Sequence, residues 1–119
     1  MAAHNELGKK GEQLAIDYLI KNEYQVLEVN YRFLKAEVDI IAQKENVLAV
    51  VEVKTRATDY FGNPQDFVNP KKVKLLLSAI DHYVVERNLD VEVRFDIIAI
   101  IYQENTTKLE HLKDAFLHF

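Results

Sequence analysis

The chain has no cysteine and no tryptophan, and only two prolines and three glycines among its 119 residues. Without cysteine there is neither a disulfide framework nor a thiolate metal site. So little proline and glycine leaves no flexible linker or low-complexity tract, and no internal repeat is visible. No apolar run approaches the ~18 residues of a membrane span, and the N-terminus carries no apolar signal-peptide core. The expectation is a cytoplasmic protein with no membrane partner. A dominant charge of one sign is missing too: 15 basic against 19 acidic residues give a net charge of −4. That balance argues mildly against nucleic-acid binding, which usually shows a basic surface. It misleads if the acids are gathered in one place. With Glu12, Glu37, Asp39 and Glu52 set aside, 15 acids face 15 bases, a neutral remainder that can hold a basic face.

What is present is the make-up of a globular chain, 49% hydrophobic and 29% charged, long enough for one domain (1–119) with a real core. Periodicity predicts a first helix over 6–21 with Asn5 as N-cap. Its apolar stripe is Leu7, Gly11, Leu14, Ala15, Tyr18 and Leu19. Glu12 falls on the inward side with Gly8, Ala15, Ile16 and Leu19, and the glycines at 8 and 11 would let this helix approach a sheet closely. A strand is expected near 25–33, then a hairpin, then a loop over 55–69. Asn69-Pro70 opens a second helix to about residue 87, buried through Val73, Leu76, Leu77, Ile80 and Val84. A strong strand over 91–102 and a short one around 108–112 follow. The fold class is α/β (α+β type), in the order α-β-β-β-α-β with a peripheral C-terminus.

The hairpin carries the most information. Residues 36–43 alternate with Val38, Ile40 and Ala42 on one face and Glu37, Asp39 and Ile41 on the other; 47–54 alternate too. If Glu45-Asn46 form a two-residue turn, Lys44 pairs with Val47, and the register then sets Asp39 opposite Glu52 and Glu37 opposite Lys54. Facing side chains lie roughly 5 Å apart. Two bare carboxylates at that spacing repel by about 3 kcal/mol at an effective dielectric near 20, so something positive belongs between them. An acid pair with lysine two residues beyond the second acid suits metal-assisted phosphodiester hydrolysis, and oxygen ligands without His or Cys favour Mg²⁺ or Mn²⁺. Lys54 would orient the attacking water or stabilise the transition state. The spacing leaves a second reading open: a Glu37–Lys54 salt bridge with Asp39 and Glu52 solvated at the end of a sheet.

Lys71, Lys72 and Lys74 crowd the first turn of the second helix, where the helix dipole disfavours cations. Phosphate binding would explain that placement, and Arg32, Lys35 and Arg56 could extend the patch; a solvated face is the alternative. Arg94 and Asp96 read as a structural ion pair. His4, His82, His111 and His118 show no ligand spacing and read as surface or core-edge residues. Tyr31, Tyr60 and Phe61 read as aromatic core or loop anchors, with stacking on bases as the alternative.

Four strings in order, Gly8-Lys9-Lys10-Gly11-Glu12, Glu37-Val38-Asp39-Ile40-Ile41-Ala42, Val51-Glu52-Val53-Lys54 and Arg94-Phe95-Asp96, resemble the YraN-like family of small bacterial proteins within the PD-(D/E)XK nuclease superfamily. The pattern is also similar to archaeal Holliday junction resolvases. Val38 stands where the superfamily's name has proline, and Ala36 where the family usually has glycine. The resemblance implies a restriction-endonuclease-like core, a mixed central sheet flanked by helices, with a divalent metal site. By motif position Asp39, Glu52 and the Val53 carbonyl would ligate the metal and Lys54 would be the catalytic lysine. Glu12 would complete the acidic cluster directly or through water, with Glu37 and Gln65 in supporting places. The function expected is a metal-dependent DNA endonuclease acting on branched or structured DNA; a junction-cutting role would favour a twofold homodimer. The alternative is a non-catalytic nucleic-acid-binding module that keeps the fold.

Overall fold

The computed structural model describes residues 2–57, 70–103 and 106–115, with side chains from residue 6 onward. Helix α1 (Ala2–Lys21) is followed by strands β1 (Gln25–Phe33), β2 (Ala36–Lys44) and β3 (Val47–Arg56), helix α2 (Pro70–Glu86), and strands β4 (Glu92–Gln103) and β5 (Thr106–Leu112). The strands form one sheet in chain order. Neighbours run antiparallel except β3 and β4, which are parallel and joined through α2. This mixed α+β sheet between two helices is consistent with a restriction-endonuclease-like core. No helix among the described residues is long and apolar enough to cross a membrane.

The two faces of the sheet hold separate cores. Ala15 and Leu19 of α1 pack with Ile40, Ala42, Ala49, Val51, Ile98 and Ile100. On the other face Val73, Leu76, Ala79, Ile80 and Tyr83 of α2 cover Val38, Ile41, Leu48, Val50, Phe95 and Ile97. Because helices cover both faces, β3 and β4 read as continuous aliphatic runs. The stripe of α2 is therefore wider than its aliphatics suggest. Leu77 is exposed, while Ala79 and Tyr83 are buried; Tyr83 meets Tyr31 edge-on at 5.1 Å.

Helix α1 begins earlier than Glu6, and Asn5 lies inside it as no cap. Alanines at 2 and 3, the strongest helix formers, carry the helix through that point. Both helices end alike. Glu23 donates to the Ile20 carbonyl and Tyr24 to Leu19, as Asn88 donates to Val85 and Leu89 to Val84. These are Schellman closures, with Glu23 and Asn88 at φ 69° and 52°. A chain so poor in glycine places other residues in the left-handed region, Leu34 and Glu45 at its hairpin turns among them.

Of the two glycines of α1, only Gly11 serves packing. A Cβ there would collide with Thr55 Oγ1 on β3, whereas one at Gly8 would meet nothing within 4 Å.

Candidate active site

The β2–β3 hairpin has the register the turn dictates, from Lys44↔Val47 to Ile40↔Val51. There the ladder stops, one step short of Asp39 and Glu52. Instead of a strand-to-strand bond, the Val53 N–H donates to Asp39 Oδ2 at 2.8 Å, so a side chain closes the gap between diverging strands. Alternation fails at the same place. Val38 and Ile41 share the α2 face while Ile40 faces α1, against the regular period expected of 36–43. At this break Asp39 lines a cavity on the α1 side and another on the α2 side.

Glu52 is only 7% exposed, which removes the reading of a solvated acid at a sheet end. Its carboxylate meets Lys72 Nζ at 2.8 Å across from the first turn of α2. Burial first, and then the Glu52 carboxylate beside it, push the Asp39 carboxyl up to about 7, and Glu12 adds to the effect; the Val53 N–H works against it. Burial and the neighbouring acid thus both disfavour the ionised form of Asp39. Burial also lowers the pKa of the Lys54 ammonium, Lys72 and Arg56 lower it further, and Glu52 and Asp39 oppose them.

Glu37 does not reach Lys54. Its cross-strand neighbour on β1 is Arg32, and the two form an exposed ion pair at 2.6 Å. Glu12 lines the same cavity, of about 410 Å³, as Asp39, Lys54 and Arg56. Its carboxylate accepts a hydrogen bond from Asn30 Nδ2 at 3.1 Å. Among the described residues no three His, Cys, Asp or Glu side chains converge as a ready-made metal cluster. A second cavity, of about 300 Å³, lies toward α2 and is lined by Lys35, Glu37, Asp39, Glu52 and Lys72. Asp39 borders both.

The lysines of α2 separate in role. Lys72 turns into the acidic pair, while Lys71 and Lys74 are exposed and line neither of these cavities. Gln65 lies outside the described residues, as do Tyr60 and Phe61. Sequence reasoning missed Asn30, which positions Glu12. The available signal was an asparagine inside a strand, a poor strand former that here sits at φ 55°.

A second buried acid lies on the opposite face. Asp96 is fully buried and accepts from Arg94 through Nε and one terminal nitrogen (each 2.9 Å at its shortest), from the Asp114 N–H at 3.0 Å, and pairs with His111 Nε2 at 2.8 Å. Tyr18 OH meets the other ring nitrogen of His111 at 3.0 Å, and Arg94 donates to Tyr24 OH at 2.7 Å. Burial alone would raise the Asp96 carboxyl, but the hydrogen bonds from His111, Arg94 and Asp114 hold it below the usual carboxylate range. The structural reading of Arg94 and Asp96 agrees with this geometry. For His111 the core-edge alternative holds: it sits on the edge strand β5, with its ring turned in to Asp96.

In oxygen chemistry Asp39 and Glu52 suit a hard dication. Mg²⁺ is commonly held by one or two carboxylates and completes its shell with water and substrate phosphate, so a two-acid set is sufficient.

Among known proteins, the family described as "Uncharacterised protein family UPF0102" matches residues 11–100. The chain is 63% identical to a UPF0102 protein of Christiangramia forsetii and 56% identical to one of Flavobacterium psychrophilum, in each case over 119 residues and the whole of both chains. It is 55% identical to one of Flavobacterium johnsoniae, again over the full length of both.

Proposed function

This chain belongs to the uncharacterised protein family UPF0102, and we propose that it is a metal-dependent endonuclease of the PD-(D/E)XK type, hydrolysing phosphodiesters of branched or otherwise structured DNA. The observation that carries this reading is the pairing of a buried Glu52 with a half-buried Asp39 whose carboxyl is pushed up by burial and by Glu52. A pair so placed is costly unless a cation or a reaction requires it. The four ordered strings of the sequence support the superfamily assignment.

Asp39 and Glu52 would hold Mg²⁺ or Mn²⁺, with the Val53 carbonyl as a further ligand. A bound dication would offset charge on the scissile phosphate and make a water molecule more acidic. Lys54, on the wall of the Asp39 cavity, donates hydrogen bonds to the attacking water or to a phosphate oxygen. Burial lowers its pKa from the ordinary lysine value, which makes the ammonium a readier hydrogen-bond and proton donor. Glu12, fixed by Asn30, adds negative charge on the α1 side and draws a cation toward the cavity. Arg56, Lys71, Lys72 and Lys74 are the candidate contacts to the DNA backbone. A twofold dimer would present two sites to a branched duplex.

The test is a panel of linear, single-stranded and branched DNA incubated with Mg²⁺ and with Mn²⁺. Cleavage is expected in the native chain, falling at least about 100-fold in Asp39→Asn and Glu52→Gln with the fold intact. Cleavage that persists in both purified variants would exclude this site. A second reading, a DNA-binding module without turnover, draws on one observation: no third acid joins the pair among the described residues. It predicts DNA retention with no cleavage of any substrate under either metal.

A further inference from the structure

We propose that Lys72 is a displaceable counter-ion, seated on Glu52 until a divalent cation takes its place and then released to a phosphate of the bound nucleic acid. This role rests on the metal-site reading above. Its ground is placement. The Glu52 carboxylate is buried, and Lys72 Nζ reaches it at 2.8 Å while the lysine side chain stays one-third exposed. Lys72 sits on Glu52 Oε2, and a dication that takes that oxygen, or chelates both, must displace the ammonium, which its like charge also repels.

The side chain has somewhere to go. Lys72 lines the cavity of about 300 Å³ that also touches Lys35 and Asp39. Its flexible four-carbon stem lets the ammonium withdraw without movement of α2. Position 72 lies in the first turn of that helix, where the dipole repels a cation and attracts an anion. Freed from Glu52, the ammonium is left beside helix N–H groups that favour phosphate. The displaced charge thus remains next to the acid pair, on the side where an anionic substrate gains most from it.

Calorimetric titration of the full chain with Mn²⁺ tests the role, using the native protein, Lys72→Met, Lys72→Arg and the neighbouring control Lys71→Met. Lys72→Met should bind Mn²⁺ about 10-fold more tightly, and Lys71→Met within about twofold of native. Lys72→Arg should bind more weakly than native, because a guanidinium grips a carboxylate through two parallel hydrogen bonds. Affinity for a short branched duplex, read by fluorescence anisotropy in Ca²⁺, should fall in Lys72→Met while its metal affinity rises. A merely structural ion pair would not move the two in opposite directions. Native protein that binds Mn²⁺, with Lys72→Met equal or weaker, overturns the role, as does equal tightening in Lys71→Met. If Lys72→Met fails to fold, an affinity of Lys72→Arg at or above native overturns it. Absence of Mn²⁺ binding in every variant at millimolar metal removes the metal site itself, and this role with it.

Discussion

Two buried acidic centres sit on adjacent strands of one sheet, and they are built on opposite principles. Asp96 on β4 lies opposite Val51 of β3 in the parallel register. It is surrounded by a guanidinium, an imidazole and a backbone N–H. Asp39 on β2 and Glu52, one residue further along β3, bring two carboxylates together, with the Val53 N–H on Asp39, Lys72 on Glu52 and Lys54 close by. The first centre is complete as it stands, with its carboxyl held acidic. The second sets acid against acid, and burial together with the Glu52 carboxylate pushes the Asp39 carboxyl up to about 7. One acid is settled by its partners, while the other is raised by burial and by its neighbour.

Substitution should separate the two most strongly at Asp96. Asp96→Asn leaves Arg94 and the buried His111 facing a neutral amide, and removing one partner of such a pair destabilises by about 3–5 kcal/mol. Urea unfolding at pH 7.5 reads it. A loss below about 1 kcal/mol would dissolve the contrast.

Asp39→Asn should move stability the other way. An amide keeps an acceptor for the Val53 N–H and relieves the repulsion from Glu52. The expected gain is about 1–2 kcal/mol at pH 8, together with loss of cleavage. A loss of stability there would make Asp39 a second structural acid.

The pH dependence carries opposite signs at the two centres. The folded pKa of Asp39 is raised, so its contribution is present below the unfolded value near 4 and is lost as pH rises toward about 7. Metal-free protein should lose up to about 1.4 kcal/mol per pH unit from this group within that window, and Asp39→Asn should abolish that slope. The folded pKa of Asp96 is lowered, so its contribution holds above the unfolded value and disappears only as pH falls through the folded one. Unfolding curves from pH 3 to 8 for the native protein and both asparagine variants resolve the two.

Much of the fold was legible before any coordinates. The hairpin register followed from Glu45-Asn46 alone, since a two-residue turn leaves no freedom in the pairing. The approach of α1 to the sheet followed in part from its glycines, though only Gly11 is used. What stayed hidden depends on contacts distant in sequence. The break in alternation between Val38 and Ile40 comes from the strands parting at Asp39, which no local pattern encodes. Leu77 and Tyr83 exchange roles because the α2 face must cover Tyr31, 52 residues earlier in the chain. His111 meets Asp96 through β5 pairing at the sheet edge. An aspartate inside the apolar run from Phe95 to Ile101 did signal that a further partner existed, without saying which.

The site itself divides in the same manner. The closeness of Asp39, Glu52 and Lys54 was legible because they share one hairpin, whose geometry is local. The partners of Glu12, Glu37 and Lys72 were not, because each is chosen by an element outside that hairpin: Asn30 and Arg32 on β1, and Glu52 across from α2.

The contact of Gly11 with Thr55 has a consequence for the neighbouring position. With only a hydrogen between its backbone and the threonine hydroxyl, α1 has no room to move closer to β3 at that point. Glu12, the next residue, starts from that closest approach. Whatever distance separates its carboxylate from the acid pair is spanned by its own three side-chain torsions or by an intervening water, and not by pressing the helix further onto the sheet.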